Sequence, residues 1–310
     1  MKASLFLSLT CVAAVYASAP QRPEPLFAPV PIVSHEYSPS NIAVDEESVY
    51  WVSDAGSTIK KASKTGSNPT TVVTGQRAIA EIFVDDKYIF FVVLGEIRRA
   101  SKNGGATTTL VSSPSIRYSK ILFAMDQTNI YFMDDLNEKS RLVRVRKDSG
   151  GMPVTLASKV QLPAGLATDG TNVYWTDVAY DRIKRVNVKG GPILILGRCS
   201  STLAVALNGE GLYCMRDSKI LSFSKTGGKA VPLLVVNIDY GDRQLVFDGA
   251  NFYIKASVKG IFGIYKISKN GGRHELLAPL DLYTTSGFVT DSSSIYWTDS
   301  REGTVMRLSK

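Results

Sequence analysis

The sequence predicts an all-β chain folded as a seven-bladed β-propeller with four antiparallel strands per blade. Three observations predict it: a unit of about forty residues recurs seven times, each unit holds four strand-length β-rich segments, and the last unit lacks its outer strand while a spare one precedes the first. The unit is marked by Tyr50, Tyr88, Tyr131, Tyr174, Tyr213, Tyr253 and Tyr296, spaced by 38, 43, 43, 39, 40 and 43 residues.

From the N-terminus, Lys2, an apolar run from Leu5 to Val15 and small residues approaching Ala17 have the layout of a secretory signal peptide, so residues 1–17 are expected to be removed. The run is short for a bilayer span and no other approaches that length, so the expected product is secreted, extracellular and without a membrane span. Residues 18–29, with Pro20, Pro23 and Pro25, read as an extended tail, and residues 30–310 as the propeller. Val30 to Ser34 has the character of an outer strand. The seventh unit stops at Lys310 without one, so the N-terminal strand is expected to complete it and close the ring. Pro31 is tolerable there because an outermost strand leaves one edge unpaired.

Within a unit, taking the fourth, Gly165 to Thr168, Val173 to Asp177, Ile183 to Val188 and Ile193 to Leu196 are rich in β-branched or aromatic residues and separated by turn residues. Asp45, Asp126, Asp169, Asn208, Asp248 and Asp291 stand five residues before the tyrosine, and Asp85 three before it in the second unit. Because they recur where the first strand turns into the second, they are read as turn formers bonding local amides rather than as a metal array. Lys61, Arg99, Arg144, Arg185, Lys266 and Arg307 share one third-strand position and are expected to form a solvated, repeated surface feature, not a nucleic-acid patch. Gly-containing turns follow, as in Lys102-Asn103-Gly104-Gly105.

Tyr174-Trp175-Thr176-Asp177 and Tyr296-Trp297-Thr298-Asp299 are full copies of one motif, and Tyr50-Trp51-Val52-Ser53-Asp54 is a copy with an insertion. On these the chain resembles the YWTD propellers of lipoprotein-receptor ectodomains, and also free-standing secreted propellers of the NHL type. The receptor propellers have six blades beside cysteine-rich modules; this chain has seven repeats and no such modules. The resemblance implies a structural role for the motif, filling blade interfaces.

Without its leader the chain carries 35 basic residues (36 less Lys2) and 28 acidic ones, a modest excess. Cys199 and Cys214 remain, and in an oxidising compartment they are candidates for a disulfide, with two buried free thiols as the alternative. His35 and His274 are the only histidines, both in or beside outer-strand segments, so a histidine base is not expected. No Gly-x-Ser-x-Gly elbow, zinc spacing or phosphate-cradling loop occurs, and no catalytic residue or cofactor is assigned.

Loops entering each innermost strand gather at one mouth of a propeller channel. Here they carry His35, Glu36 and Tyr37, then Arg77 with Glu81, Arg117 with Tyr118, Gln161, Arg198, Tyr240 with Asp239, Asp242 and Arg243, and Tyr283 with Asp281. The loops after the second strand are acidic at Asp134, Asp135, Asp177, Asp181, Asp217 and Glu302, giving an arginine and tyrosine ring with an acidic surround. Arginine and tyrosine are favoured at protein-binding hot spots, and arginine grips carboxylates and sulfates. The expected function is a monomeric, non-enzymatic binding module for an extracellular protein or an anionic glycan, using Arg77, Arg117, Tyr118, Arg198, Tyr240, Arg243 and Tyr283. The alternative is a hydrolase or lyase resembling calcium-dependent lactonase propellers, with Glu81, Asp239 or Asp242 as candidate calcium ligands or bases.

Overall fold

The computed structural model describes residues 28–310 except 115, 117–121, 137–138, 200–204, 208–210, 217–218 and 237. Seven four-stranded antiparallel sheets form the seven blades of the propeller, with two short 3-10 turns at Asp54–Gly56 and Val178–Tyr180. The signal-peptide residues and most of the Pro-rich tail lie outside the described residues.

Each blade runs A to D from the channel outward. Blade 1 is β2 (Ser40–Val44), β3 (Ser48–Ser53), β4 (Thr58–Ser63) and β5 (Thr70–Val73). Blade 4 is β14 (Pro163–Thr168), β15 (Asn172–Asp177), β16 (Arg182–Asn187) and β17 (Leu194–Gly197). Blade 7 takes β26 (Phe288–Thr290), β27 (Ser294–Asp299) and β28 (Thr304–Ser309) from the C-terminus and β1 (Val30–Val33) from the N-terminus. The expected closure is therefore present: Val30 faces Arg307, Pro31 faces Met306, and Val33 faces Val305. Val30 and Pro31 are exposed, whereas Val33 is buried with Trp51, Tyr296 and Val305, so the closing strand also seals the seam between blades 7 and 1.

The motif aromatics lie between blades, as the resemblance implies. Each cluster joins two neighbours: Tyr50 packs with Phe91 of blade 2, Tyr131 with Trp175 of blade 4, and Tyr253 with Trp297 of blade 7. Alternation along strand B sends successive side chains to opposite neighbours, which is why nearly the whole strand is buried.

The repeated aspartates do more than shape turns. Oδ1 of Asp45 accepts the amides of Glu47 and Ser48, while Oδ2 accepts the Tyr50 hydroxyl (2.9 Å) and the Lys102 ammonium of blade 2 (2.6 Å). The same ion pair recurs as Lys147 to Asp85, Lys225 to Asp169, Lys310 to Asp248 and Lys64 to Asp291. Four of the six repeated third-strand cations correct the expectation of a solvated feature, while Lys266 pairs with Glu275 of its own blade. Lys61 donates to the Lys102 carbonyl (2.7 Å), Arg99 to the Lys147 carbonyl (3.0 Å), Arg144 to the Val188 carbonyl (2.6 Å) and Arg307 to the Lys64 carbonyl (3.4 Å). Every one of these bonds crosses a seam, so blade n holds the turn of blade n+1 by its carbonyl while that turn's lysine returns to the aspartate of blade n.

One described seam lacks the return pair. In blade 4 the lysine position is Val188, whose amide donates to Thr171 as Lys102 donates to Lys87, and Asp126 is left with Tyr131, Thr128 and Asn129. Val188→Lys is expected to raise stability by about 0.5–1 kcal/mol, the lysine stem covering the surface the valine covers. Chemical denaturation checks it, and in an Asp126→Asn background the gain should vanish.

Candidate functional site

Two sets of loops share one face. Strand A begins after the D–A loop and strand B ends in the B–C loop, and their backbones bond to one another: Asp54 donates to Tyr37 (2.9 Å), Ile79 to Gly56 (2.9 Å), Val178 to Leu162 (3.2 Å) and Ser300 to Thr284 (2.9 Å). This is the face on which the arginine and tyrosine ring is expected.

The structure separates the expected residues into three groups. Arg77, Arg198 and Tyr283 stand on the surface of this face; Tyr283 is 88% exposed, and Arg77 has no side-chain partner among the described residues. Arg198 is ion-paired through Nε to Asp181 (3.0 Å), and Arg301, not singled out from sequence, is paired in the same manner to Asp281 (2.8 Å). Arg117 and Tyr118 lie outside the described residues. Tyr240, Asp242 and Arg243 belong to β22 (Tyr240–Phe247), whose pairing with β23 (Asn251–Val258) is irregular between Gly241 and Leu245.

Several expected mouth residues turn out to be structural. Glu36 is buried: its Oε2 accepts Trp51 Nε1 (3.1 Å), Ser53 Oγ (2.6 Å) and Lys60 Nζ (3.0 Å). Its amide donates to the Gly303 carbonyl, and a Cβ at Gly303, where φ is +62°, would sit 2.5 Å from the Glu36 carbonyl oxygen. Asp134 and Asp177, expected in an acidic surround, are fully buried and paired with Arg141 (2.6 Å) and Lys184 (2.5 Å). The cause is the same in each case: the last residues of strand B still lie inside the blade stack, so an acid there is desolvated and needs a cation from strand C. Asp239 accepts the Gly260 amide (2.8 Å) and the Ser257 hydroxyl (3.2 Å), so its carboxylate is committed to its own B–C loop. Glu81 opens β6 (Glu81–Val84) and is partly buried with a partner of its own. Among the described residues no three of His, Cys, Asp and Glu come together as metal ligands.

Cys199 and Cys214 are joined by a disulfide, with Cα atoms 6.7 Å apart and a sequence separation of 15. Glu36 and Trp51 are also fifteen apart, and the two pairs are equivalent. The amide of Cys199 donates to Asp181, the last residue of a B–C loop, as that of Glu36 donates to Gly303. One position in the D–A loop thus latches strand B by a carboxylate in blade 1 and by a covalent bond in blade 5. Replacing both cysteines by serine is expected to cost about 3 kcal/mol, the chain-entropy value for a loop of this length. Urea unfolding of the double variant against the oxidised parent measures it.

Sequence reasoning missed the apolar side chains on this face. Leu162 (68%), Tyr180 (55%) and Leu94 (54%) are exposed there, as is Tyr37 (70%). The cations of Arg182 and Lys184 lie 5.5 and 5.7 Å from the Tyr180 ring centroid. The opposite face is different in kind. Its cleft of about 430 Å³, between the A–B turns of blades 7, 1 and 2, is lined by Asp45, Asp85 and Asp291, each already paired with a lysine.

No family model and no curated protein matches this chain. Among solved structures, virginiamycin B lyase from Staphylococcus aureus, a catalytically inactive histidine-to-alanine variant with quinupristin, aligns with a TM-score of 0.70 at 14% identity, covering 93% of this chain and 100% of that one. YCF48 bound to a D1 peptide aligns at 0.64 with 10% identity, covering 94% and 100%. The calcium-binding protein regucalcin from Agrobacterium tumefaciens aligns at 0.51 with 13% identity, covering 91% and 93%. At these identities the likeness is one of fold, and the chain is similar to propellers that include both binding proteins and an enzyme.

Proposed function

We propose that this chain is a secreted, non-enzymatic binding module that captures an extracellular protein on the face carrying the D–A and B–C loops. The observation that carries the reading is the coincidence of Tyr37, Leu94, Leu162, Tyr180 and Tyr283, all more than half exposed, with the surface arginines Arg77, Arg198 and Arg301 on that face. Exposed aromatic and aliphatic groups among arginines match the composition of protein-binding hot spots. The aspartates bound to Arg198 and Arg301 partly neutralise them, which favours a protein partner over a sulfated glycan, since a polyanion gains most from unpaired cations.

The enzymatic reading has less to stand on. The lyase similar in fold is described in an inactive form lacking a histidine, whereas His35 here is exposed beside β1 and His274 precedes β25 (Glu275–Pro279), at the outer strands. Asp239 is held by its own loop. The test is affinity capture from extracellular fluid with the parent and with Arg77→Ala/Arg198→Ala/Tyr283→Ala. The triple variant is expected to lose at least tenfold in affinity for the captured protein, or about 1.4 kcal/mol, with an unchanged unfolding midpoint. Equal capture by both proteins sinks this face as the site. Calcium bound at one ion per chain after gentle purification brings the hydrolase reading forward.

A further inference from the structure

Blades 1 and 4 present the same three side-chain positions beneath their loops. Trp51, Ser53 and Lys60 in blade 1 correspond to Trp175, Asp177 and Lys184 in blade 4: Trp51 is paired in register with Lys60, and Trp175 with Lys184. In blade 1 all three donate to one carboxylate, Trp51 Nε1 and Ser53 Oγ meeting on the same oxygen of Glu36. In blade 4 the loop residue fifteen before the tryptophan is Val160, buried against Trp175 and without a polar atom in its side chain. The carboxylate comes instead from strand B as Asp177, whose Oδ2 takes the Lys184 ammonium.

That exchange leaves two atoms over. Trp175 Nε1 and Asp177 Oδ1 are both buried and neither has a hydrogen-bond partner among the described residues. Trp175 and Asp177 stand at the register positions of Trp51 and Ser53, whose donors converge on one Glu36 oxygen, and that equivalence puts the two atoms within reach of one bridging group. An indole N–H without an acceptor and a carboxylate oxygen without a donor each cost about 1–3 kcal/mol, so the fold needs a group there that accepts from one and donates to the other. A carboxylate would be repelled by Asp177, and a simple cation offers nothing to the indole. A hydroxyl does both, and between two buried polar atoms of the protein a water molecule is the group that supplies it.

The geometry points to an internal water-binding site at the top of blade 4, in which one water accepts from Trp175 Nε1 and donates to Asp177 Oδ1, replacing the glutamate latch of blade 1.

A high-resolution crystal structure of the full chain tests this directly. The expected result is an ordered solvent peak within hydrogen-bond distance of both atoms, lost in Trp175→Phe while the Lys184 to Asp177 pair remains. Absence of that peak in the parent, or a protein group bonded to either atom, overturns the site. Should Trp175→Phe not fold, the parent still decides the matter in solution. The chain has three tryptophans, so three indole N–H signals, and that of Trp175 should show the cross-relaxation with water typical of a long-lived bound molecule. Its absence overturns the site equally.

Discussion

A chain lacking residues 30–36 is expected to lose its cooperative unfolding transition, although the segment is a small fraction of the protein. Three losses coincide. The outer edge of β28 is opened along the pairing of Val30 with Arg307 and Val33 with Val305. Burial of Val33 is forfeited, about 1.5–3 kcal/mol for a side chain of this kind. Removal of Glu36 strands Lys60 and the buried donors of Trp51 and Ser53, which for a broken buried pair costs about 3–5 kcal/mol. Together these approach the whole stability of an ordinary domain, about 5–15 kcal/mol. Glu36→Ala alone should lower the urea midpoint strongly, whereas Val30→Thr, at an exposed position, should leave it nearly unchanged. A truncated chain that unfolds cooperatively at the parent's midpoint would show that the ring does not depend on its N-terminal closure.

The second large effect is a stability plateau bounded by the seam aspartates in acid and by their tyrosines in alkali. Burial works to raise the carboxyls of Asp45, Asp85, Asp169, Asp248 and Asp291, but lysine, tyrosine and backbone hydrogen bonds outweigh it and hold all five below the ordinary value of 3.8. A carboxyl with a depressed folded value stabilises above its unfolded value and loses that contribution as pH falls through the folded one. Unfolding is therefore expected to begin below pH 3.8 and to be steep, because each seam takes up a proton of its own. On the other side, burial first and the partner aspartate second raise Tyr50, Tyr131, Tyr174 and Tyr253, with Tyr174 pushed up to about 12. Their contribution is complete below 10.0 and is lost as pH rises through the folded values. Circular dichroism across the pH range checks both limbs. Asp45→Asn should raise the acid midpoint more than Asp126→Asn, because only Asp45 has a lysine from the next blade. Equal shifts would mean that the ion pairs contribute nothing.

The strands, the number of blades and the closure were legible in the sequence because each rests on local chemistry that recurs from unit to unit. A tyrosine with an aspartate five before it, a β-rich run and a Gly turn act within a few residues, and repetition makes the signal plain even where Tyr131-Phe132-Met133-Asp134 departs from the motif. The missing outer strand of the last unit needed only counting. The turn role of Asp45 and its equivalents could be read for the same reason, since Oδ1 answers amides two and three residues on. Tertiary structure alone decided what faces a seam. Lys61 and Arg99 look like surface charges along the chain, yet their partners are carbonyls about forty residues away in the next blade. Asp134, Asp177 and Glu36 resemble exposed loop acids, but stacking against a neighbouring blade removes water from them, and only the register of strands B and C supplies Arg141, Lys184 and Lys60. Of the candidate site, Arg77, Arg198 and Tyr283 could be located by counting loops. The exposure of Leu162 and Tyr180 beside them could not, because whether an apolar side chain is covered depends on the curvature that brings one blade over the next.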